Sequence, residues 1–155
     1  MENTDIFYQY LEFPLGYVLI MADDHRLLKI KFVREFHQNR SNSITMLCAR
    51  QLEEYFSGKR RIFECPFRFT GTDFRLKVWK ATMKIPWGQV ITYKNLAASI
   101  GKPRAYRSVA NALGANYLPI IVPCHRVVAS GGNIGGYSPG VQIKKFLLSL
   151  EGVTI

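Results

Sequence analysis

Negative charge is nearly missing from the second half of this 155-residue chain. Residues 71–155 carry 11 Lys and Arg but only two acids, Asp73 and Glu151, whereas residues 1–70 carry 10 basic and 9 acidic side chains. The excess is therefore +9 in one half and +1 in the other, together the net +10 of the chain. Such an imbalance points to a polyanion as the partner of the second half, or, more blandly, to a basic surface kept for solubility. Long apolar runs are absent too, so no membrane-spanning helix is expected, since one needs about 18 or more consecutive apolar residues. The opening stretch Met1 to Tyr10 holds Glu2 and Asp5 where a secretory leader carries positive charge, so a soluble, cytoplasmic protein is expected. Cysteine is scarce: Cys48, Cys65 and Cys124 are an odd number, with no C-x-x-C pair. His25, His37 and His125 do not lie at zinc-finger spacing from any of them, which argues against a disulfide framework and against a structural metal.

What is present divides into two parts. Residues 1–70 read as a small α/β domain. Phe7 to Phe13 is apolar with interspersed polar residues, and Tyr17 to Met21 and Leu27 to Val33 are rich in β-formers around the turn signal Ala22-Asp23-Asp24-His25. Ile44 to Phe56 places Ile44, Leu47, Cys48, Leu52, Tyr55 and Phe56 on one helical stripe, with Gly58 ending it and Cys48 in the core. Gly58 to Asp73 reads as a connector, in which Ile62 to Phe69 could add a strand. Residues 71–155 read as mostly helical. Asp73 is the expected N-cap of a helix from Phe74 to Ile85, with Trp79 in the core, stopped by Pro86-Trp87-Gly88.

Thr92 then caps a predicted helix from Tyr93 to Ile100, Gly101 ends it, and Pro103 opens a second helix from about Arg104 to Leu113. Two short helices across a Gly-containing turn are a helix-turn-helix pattern, or an αα-hairpin packed within a bundle. On the second helix Arg104, Arg107 and Asn111 share a face, while Ala105, Ser108, Ala110 and Ala112 keep it thin enough to approach DNA closely.

Leu118 to Val122 is an apolar run of strand length, followed at once by Pro123-Cys124-His125-Arg126. A cysteine in such surroundings is ordinarily an inert small hydrophobe, because desolvation raises its pKa. It becomes a nucleophile if a base and a favourable field stabilise the thiolate, and His125 and Arg126 offer both. Glu151 is the one acid after Asp73 that could fix the tautomer of His125, unless it is a solvated terminal residue. Neighbours in sequence do not bond each other easily, so a water is expected between Cys124 and His125. Ser130 to Gly140 is a glycine-rich loop whose backbone can approach a flat ligand.

These residues resemble the O6-alkylguanine-DNA alkyltransferases. The likeness runs from Phe74 to Gly152: Phe74-x-x-Lys77-Val78-Trp79, Pro86-x-Gly88, Thr92-Tyr93, Asn116, Pro123-Cys124-His125-Arg126-Val127, Gly136-Tyr137-Ser138 and Leu147-Leu148-x-x-Glu151-Gly152. Residues 1–70 agree only in layout, which the family implies is a ribonuclease H-like α/β domain ahead of a winged helix or helix-turn-helix domain carrying the reactive cysteine. The resemblance implies stoichiometric, irreversible transfer of an alkyl group from O6-alkylguanine, and from O4-alkylthymine, to Cys124, with no cofactor. It implies that Glu151, His125 and a water hold Cys124 as a thiolate, that Asn116 braces the backbone around it, and that Tyr93 protonates the leaving base. Tyr137, Ser138 and Val127 are implied to hold the substrate. Arg107 is implied to fill the gap left by a flipped nucleotide, with the second helix in the minor groove of double-stranded DNA and Tyr93, Lys94, Lys102, Arg104, Ser108 and Ser130 along it. A monomer is expected, with cooperativity along DNA left open. Pro139 departs from a glycine common in relatives and bears on bulky benzylated guanine, and nothing near the N-terminus matches the zinc site of some members. Rival readings are a lesion-binding alkyltransferase-like sensor, a cysteine hydrolase and a DNA-binding regulator without chemistry.

Overall fold

The computed structural model describes residues 5–155, so Glu2, cited above against a leader, lies outside the described residues. The chain divides into two compact units that meet between Arg68 and Phe69.

The first unit is an antiparallel meander of β1 (Phe7–Phe13), β2 (Gly16–Ala22) and β3 (Leu27–Val33), followed by α1 (Ser43–Phe56). Register puts Val18, Ile20 and Ala22 of β2 on the face that is fully buried, with Leu27 and Ile30 of β3 beside them. The helix supplies Ile44, Cys48, Leu52 and Tyr55 at i, i+4, i+8 and i+11, a stripe that buries apolar area worth about 2 kcal/mol per large side chain. It starts at Asn42, whose side chain accepts from the Thr45 amide while Thr45 returns a bond to the Asn42 amide, a reciprocal cap that the sequence reading missed. Cys48 is core, as expected, and its thiol hydrogen bonds the thiol of Cys65, which also reaches Gln51 Oε1 at 3.4 Å. Residues 62–69 do not form a strand. The Leu27 amide bonds the Pro66 carbonyl and one bridge pairs Leu27 with Phe67, but Pro66 has no amide with which to continue a ladder.

The second unit comprises α2 (Asp73–Thr82), β4 (Ile91–Thr92), α3 (Tyr93–Ser99), α4 (Tyr106–Gly114), a single 3₁₀ turn at Cys124–Arg126, β5 (Val127–Val128) and α5 (Val141–Leu150). Trp79 is 2% exposed and donates its indole N–H to the Ala112 carbonyl at 2.8 Å, so α2 is pinned to α4 by a side chain whose truncation costs about 3–5 kcal/mol. Thr92 caps α3 through the Asn95 amide, as its position predicts.

Three expectations are corrected. The N-cap of α2 is Thr72, which accepts from the Arg75 amide; Asp73 is the first helical residue, where its charge favours the helix N-terminus, and the helix stops at Thr82 rather than Ile85. α4 begins at Tyr106, not Arg104: the Ala105 amide bonds the Lys102 carbonyl, so Pro103 and Arg104 form the turn between the helices. Leu118 to Val122 is no strand. The Val122 amide closes back on the Leu118 carbonyl at 2.9 Å, and Ile120 sits at φ 74, the left-handed region that a β-branched residue rarely enters. Pro119 and Pro123 withhold the amides that a sheet ladder needs.

Candidate active site

The turn at residues 118–122 delivers Cys124 to the floor of a cavity of about 460 Å³. Its walls come from Tyr93 at the start of α3, from Ala110, Asn111, Leu113 and Gly114 of α4, and from Gly136, Tyr137 and Ser138 of the glycine-rich loop. Parallel pairing of Ile91 with Val127 and Thr92 with Val128 sets the head of α3 beside the residues that follow the cysteine. The loop is tied down at its far end, where the Ser138 hydroxyl donates to the Gly114 carbonyl at 3.1 Å.

Asn116 is the brace. Its carboxamide N–H₂ donates to the Val122 carbonyl and to Cys124 Sγ, both at 3.1 Å, while its oxygen accepts from the Leu118 amide at 2.9 Å. Burial pushes the Cys124 thiol up; hydrogen bonds from Asn116 and Tyr137 and the charge of Lys144 pull it down. The net direction is upward, so forming the thiolate at Cys124 calls for a group that takes its proton.

His125 faces away from solvent, wholly buried, with Nε2 at 2.7 Å from Glu151 Oε2. Its Nδ1 is buried and has no hydrogen-bond partner among the described residues. Burial lowers its pKa, with the Glu151 carboxylate opposing and the Arg126 and Lys144 charges assisting. The carboxylate at Nε2 favours the tautomer with its proton there, which leaves the lone pair of a neutral ring on Nδ1. Glu151, at the C-cap of α5, is 4% exposed and also accepts two bonds from Arg126, Nε to Oε1 at 2.7 Å and Nη2 to Oε2 at 3.0 Å. It is a buried carboxylate paired with His125 and Arg126, not a solvated terminal residue.

Two cations make contacts that no spacing in the sequence records. Lys144 is completely buried, donates to the Val127 and Gly136 carbonyls at 2.7 and 2.9 Å, and lies 5.7 Å from the centroid of the Tyr93 ring. Desolvation lowers its pKa to about 8. A signal existed: Lys144, Leu147, Leu148 and Glu151 recur at i, i+3, i+4 and i+7, so this lysine lies on the apolar stripe of its helix. Arg126, named only as a source of field, is a structural partner of Glu151 and donates Nη1 to the Ile85 carbonyl at 2.6 Å.

The remaining residues fall in three places. Tyr93 donates its hydroxyl to the Gly136 carbonyl at 3.3 Å, and burial raises its pKa. Val127 is buried in β5 and does not line the cavity. Arg107 and Ser108 are exposed on α4, Arg104 on the turn before it, Lys94 and Lys102 on α3 and just after it, and Ser130 at the start of the loop. Lys94 lies over the ring of Tyr106 and Lys102 over that of Phe74. Among the described residues, no group of three or more His, Cys, Asp or Glu could hold a metal ion, and no helix is long and apolar enough to cross a membrane.

A buried thiol with its own base and orienting acid, set beside a helix-turn-helix with a basic face, defines a cysteine-based group acceptor that works on nucleic acid. The chain belongs to the 6-O-methylguanine DNA methyltransferase family: residues 6–69 match its ribonuclease-like domain and residues 73–153 its DNA binding domain. The methylated-DNA–protein-cysteine methyltransferase of Methanosarcina barkeri is 42% identical over 94% of this chain and 97% of its own. The crystal structure of Mycobacterium tuberculosis O6-methylguanine methyltransferase superposes with a TM-score of 0.85 at 32% identity, covering 95% of this chain and 93% of that one. The M. tuberculosis OGT in complex with DNA gives the same TM-score at 34% identity, over 93% and 91%.

Proposed function

We propose that this protein repairs DNA by direct reversal, taking the alkyl group from O6-alkylguanine, and from O4-alkylthymine, onto Cys124 once per molecule. The observation that carries the reading is Cys124, bonded by Asn116 and lining a cavity beside α4, followed directly in the chain by a buried histidine paired with Glu151. The thiol proton passes through a water to Nδ1 of His125, whose Nε2–H stays on Glu151. The sulfur electron pair then attacks the alkyl carbon, the C–O6 bond breaks with its electrons left on the base, and a thioether forms. The departing base takes a proton from Tyr93, whose raised pKa suits a donor that stays protonated until a strong acceptor develops. Asn116 releases its bond to the sulfur as the thiolate is consumed.

The target carbon is reached by flipping the nucleotide into the cavity, where Tyr137 and Ser138 flank it. Arg107 occupies the vacated stack, and α4 enters the minor groove, where Ala110 and Gly114 let it approach closely. Lys94, Lys102, Arg104, Ser108 and Ser130 contact the phosphate backbone. The division into residues 1–70 and 71–155 assigns these tasks to the second part. The protein acts as a monomer in the cytoplasm, with the cell's DNA. Cys124 sets this reading apart from a lesion sensor, which needs no acceptor thiol.

The test is the intact mass after mixing with a duplex containing one O6-methylguanine. The parent should gain one methyl and stop, and Cys124→Ser should gain none. Tight binding with unchanged mass in the parent supports the sensor instead.

A further inference from the structure

Arg126 has contacts that exceed what a buried structural ion pair requires. Glu151 receives Nε of Arg126 at Oε1, and both Nη2 of Arg126 and Nε2 of His125 at Oε2; the Gly88 amide approaches Oε1 at 3.5 Å. The third arm of the guanidinium, Nη1, is anchored on the Ile85 carbonyl just beyond α2. One side chain therefore ties the cysteine-bearing turn to the end of α5 and to the stretch after α2, and it grips the same carboxylate oxygen that holds the histidine.

We infer that Arg126 is a positioning residue that sets the working pH of the Cys124–His125 pair: by neutralising and clamping Glu151 it keeps the imidazole uncharged, with Nδ1 free to accept. Resting on the alkyltransferase reading, the inference names what tunes its proton acceptor. The charges facing His125 are few. Glu151 favours the imidazolium, while Arg126 and Lys144 oppose it. Without the guanidinium, the carboxylate loses the cation that shares its Oε2 with the imidazole, and its attraction for a second ring proton is no longer offset. A histidine protonated on both nitrogens has no lone pair for the thiol proton. The titration belongs to the coupled pair, so the observable is the acidic limb of its pH profile. Removing one cation at this range moves that limb to higher pH by about 1–3 units, the size of shift that a neighbouring charge produces.

The experiment measures two rates against pH in the full-length protein. One is methyl uptake from duplex O6-methylguanine; the other is carbamidomethylation of Cys124 by iodoacetamide without DNA, mapped by peptide mass. Variants are Arg126→Lys, which keeps the charge without the two-point grip, and Arg126→Met, which removes the charge. Arg126→Met should carry the acidic limb upward in both assays. Arg126→Lys should leave the limb in place and lower the plateau, because a point charge holds both oxygens less well. If Arg126→Met does not fold, Arg126→Gln takes its place, keeping N–H donors without charge. A uniform fall in rate with an unmoved limb, or no change, overturns the inference and leaves Arg126 a structural strut. If the parent gains no methyl from DNA, the repair reading fails, while the iodoacetamide profile still reports on Arg126.

Discussion

Tyr93 reaches the Gly136 carbonyl only because Gly135 has no side chain. A Cβ at Gly135 would stand 2.9 Å from the Tyr93 hydroxyl and 3.2 Å from the Ala129 amide, and the backbone there has φ 78. Gly135→Ala should therefore displace the tyrosine and slow methyl uptake roughly 10-fold or more, on top of about 1–2 kcal/mol of backbone strain. Single-turnover mass measurements and denaturant unfolding separate the two effects. Lys144 makes a pH prediction at the same scale. Burial lowers the pKa of its ammonium to about 8 in the folded chain from the ordinary lysine value of 10.5, so between those limits the unfolded chain binds more protons. Its contribution to stability thus rises with pH across that window and is lost as pH falls through the folded value. The unfolding free energy of the parent should gain on that of Lys144→Met between about pH 8 and 10.5; a constant gap would show that burial leaves the lysine unperturbed.

The helices show where a sequence speaks clearly. Capping chemistry is local, so Thr92 and the stripe of α1 could be read directly, and Glu151 could be singled out because no other acid follows Asp73. Asn42→Ala should cost about 1 kcal/mol in the stability of the first unit, read as a lowered denaturant midpoint, since it removes the side-chain half of the α1 cap and the bond from Nδ2 to the Asp23 carbonyl. Arg107 belongs to the exposed face of α4. Arg107→Ala should reduce methyl uptake from duplex by about 10-fold, a fraction of the cost of unstacking a base, yet leave iodoacetamide labelling of Cys124 unchanged. Equal losses in both assays would place Arg107 in the fold of the site rather than in flipping. The segment before Cys124 was misread because five apolar residues fit a strand and a buried turn equally well, and only the prolines at its borders hinted at the answer.

At the scale of the whole molecule, a +9 excess confined to residues 71–155 should govern association with DNA. Affinity should fall steeply with salt, with a log–log slope of about −0.9 for each phosphate neutralised, and Lys94→Ala with Lys102→Ala should reduce that slope by about one per lost contact. An affinity indifferent to salt would mean that the basic surface serves solubility alone. Composition, spacing and capping were enough to specify the two-part layout, the helix pair and the motif around Cys124, because charge balance, helical periodicity and cap preference act over a few residues. Folding alone settled that Ile120 turns back through a left-handed backbone, that Lys144 lies under Tyr93, and that Arg126 shares an oxygen of Glu151 with His125. Those features arise where desolvation and hydrogen-bond satisfaction are decided among groups distant along the chain, and no local pattern records which buried carbonyl or carboxylate a cation will find.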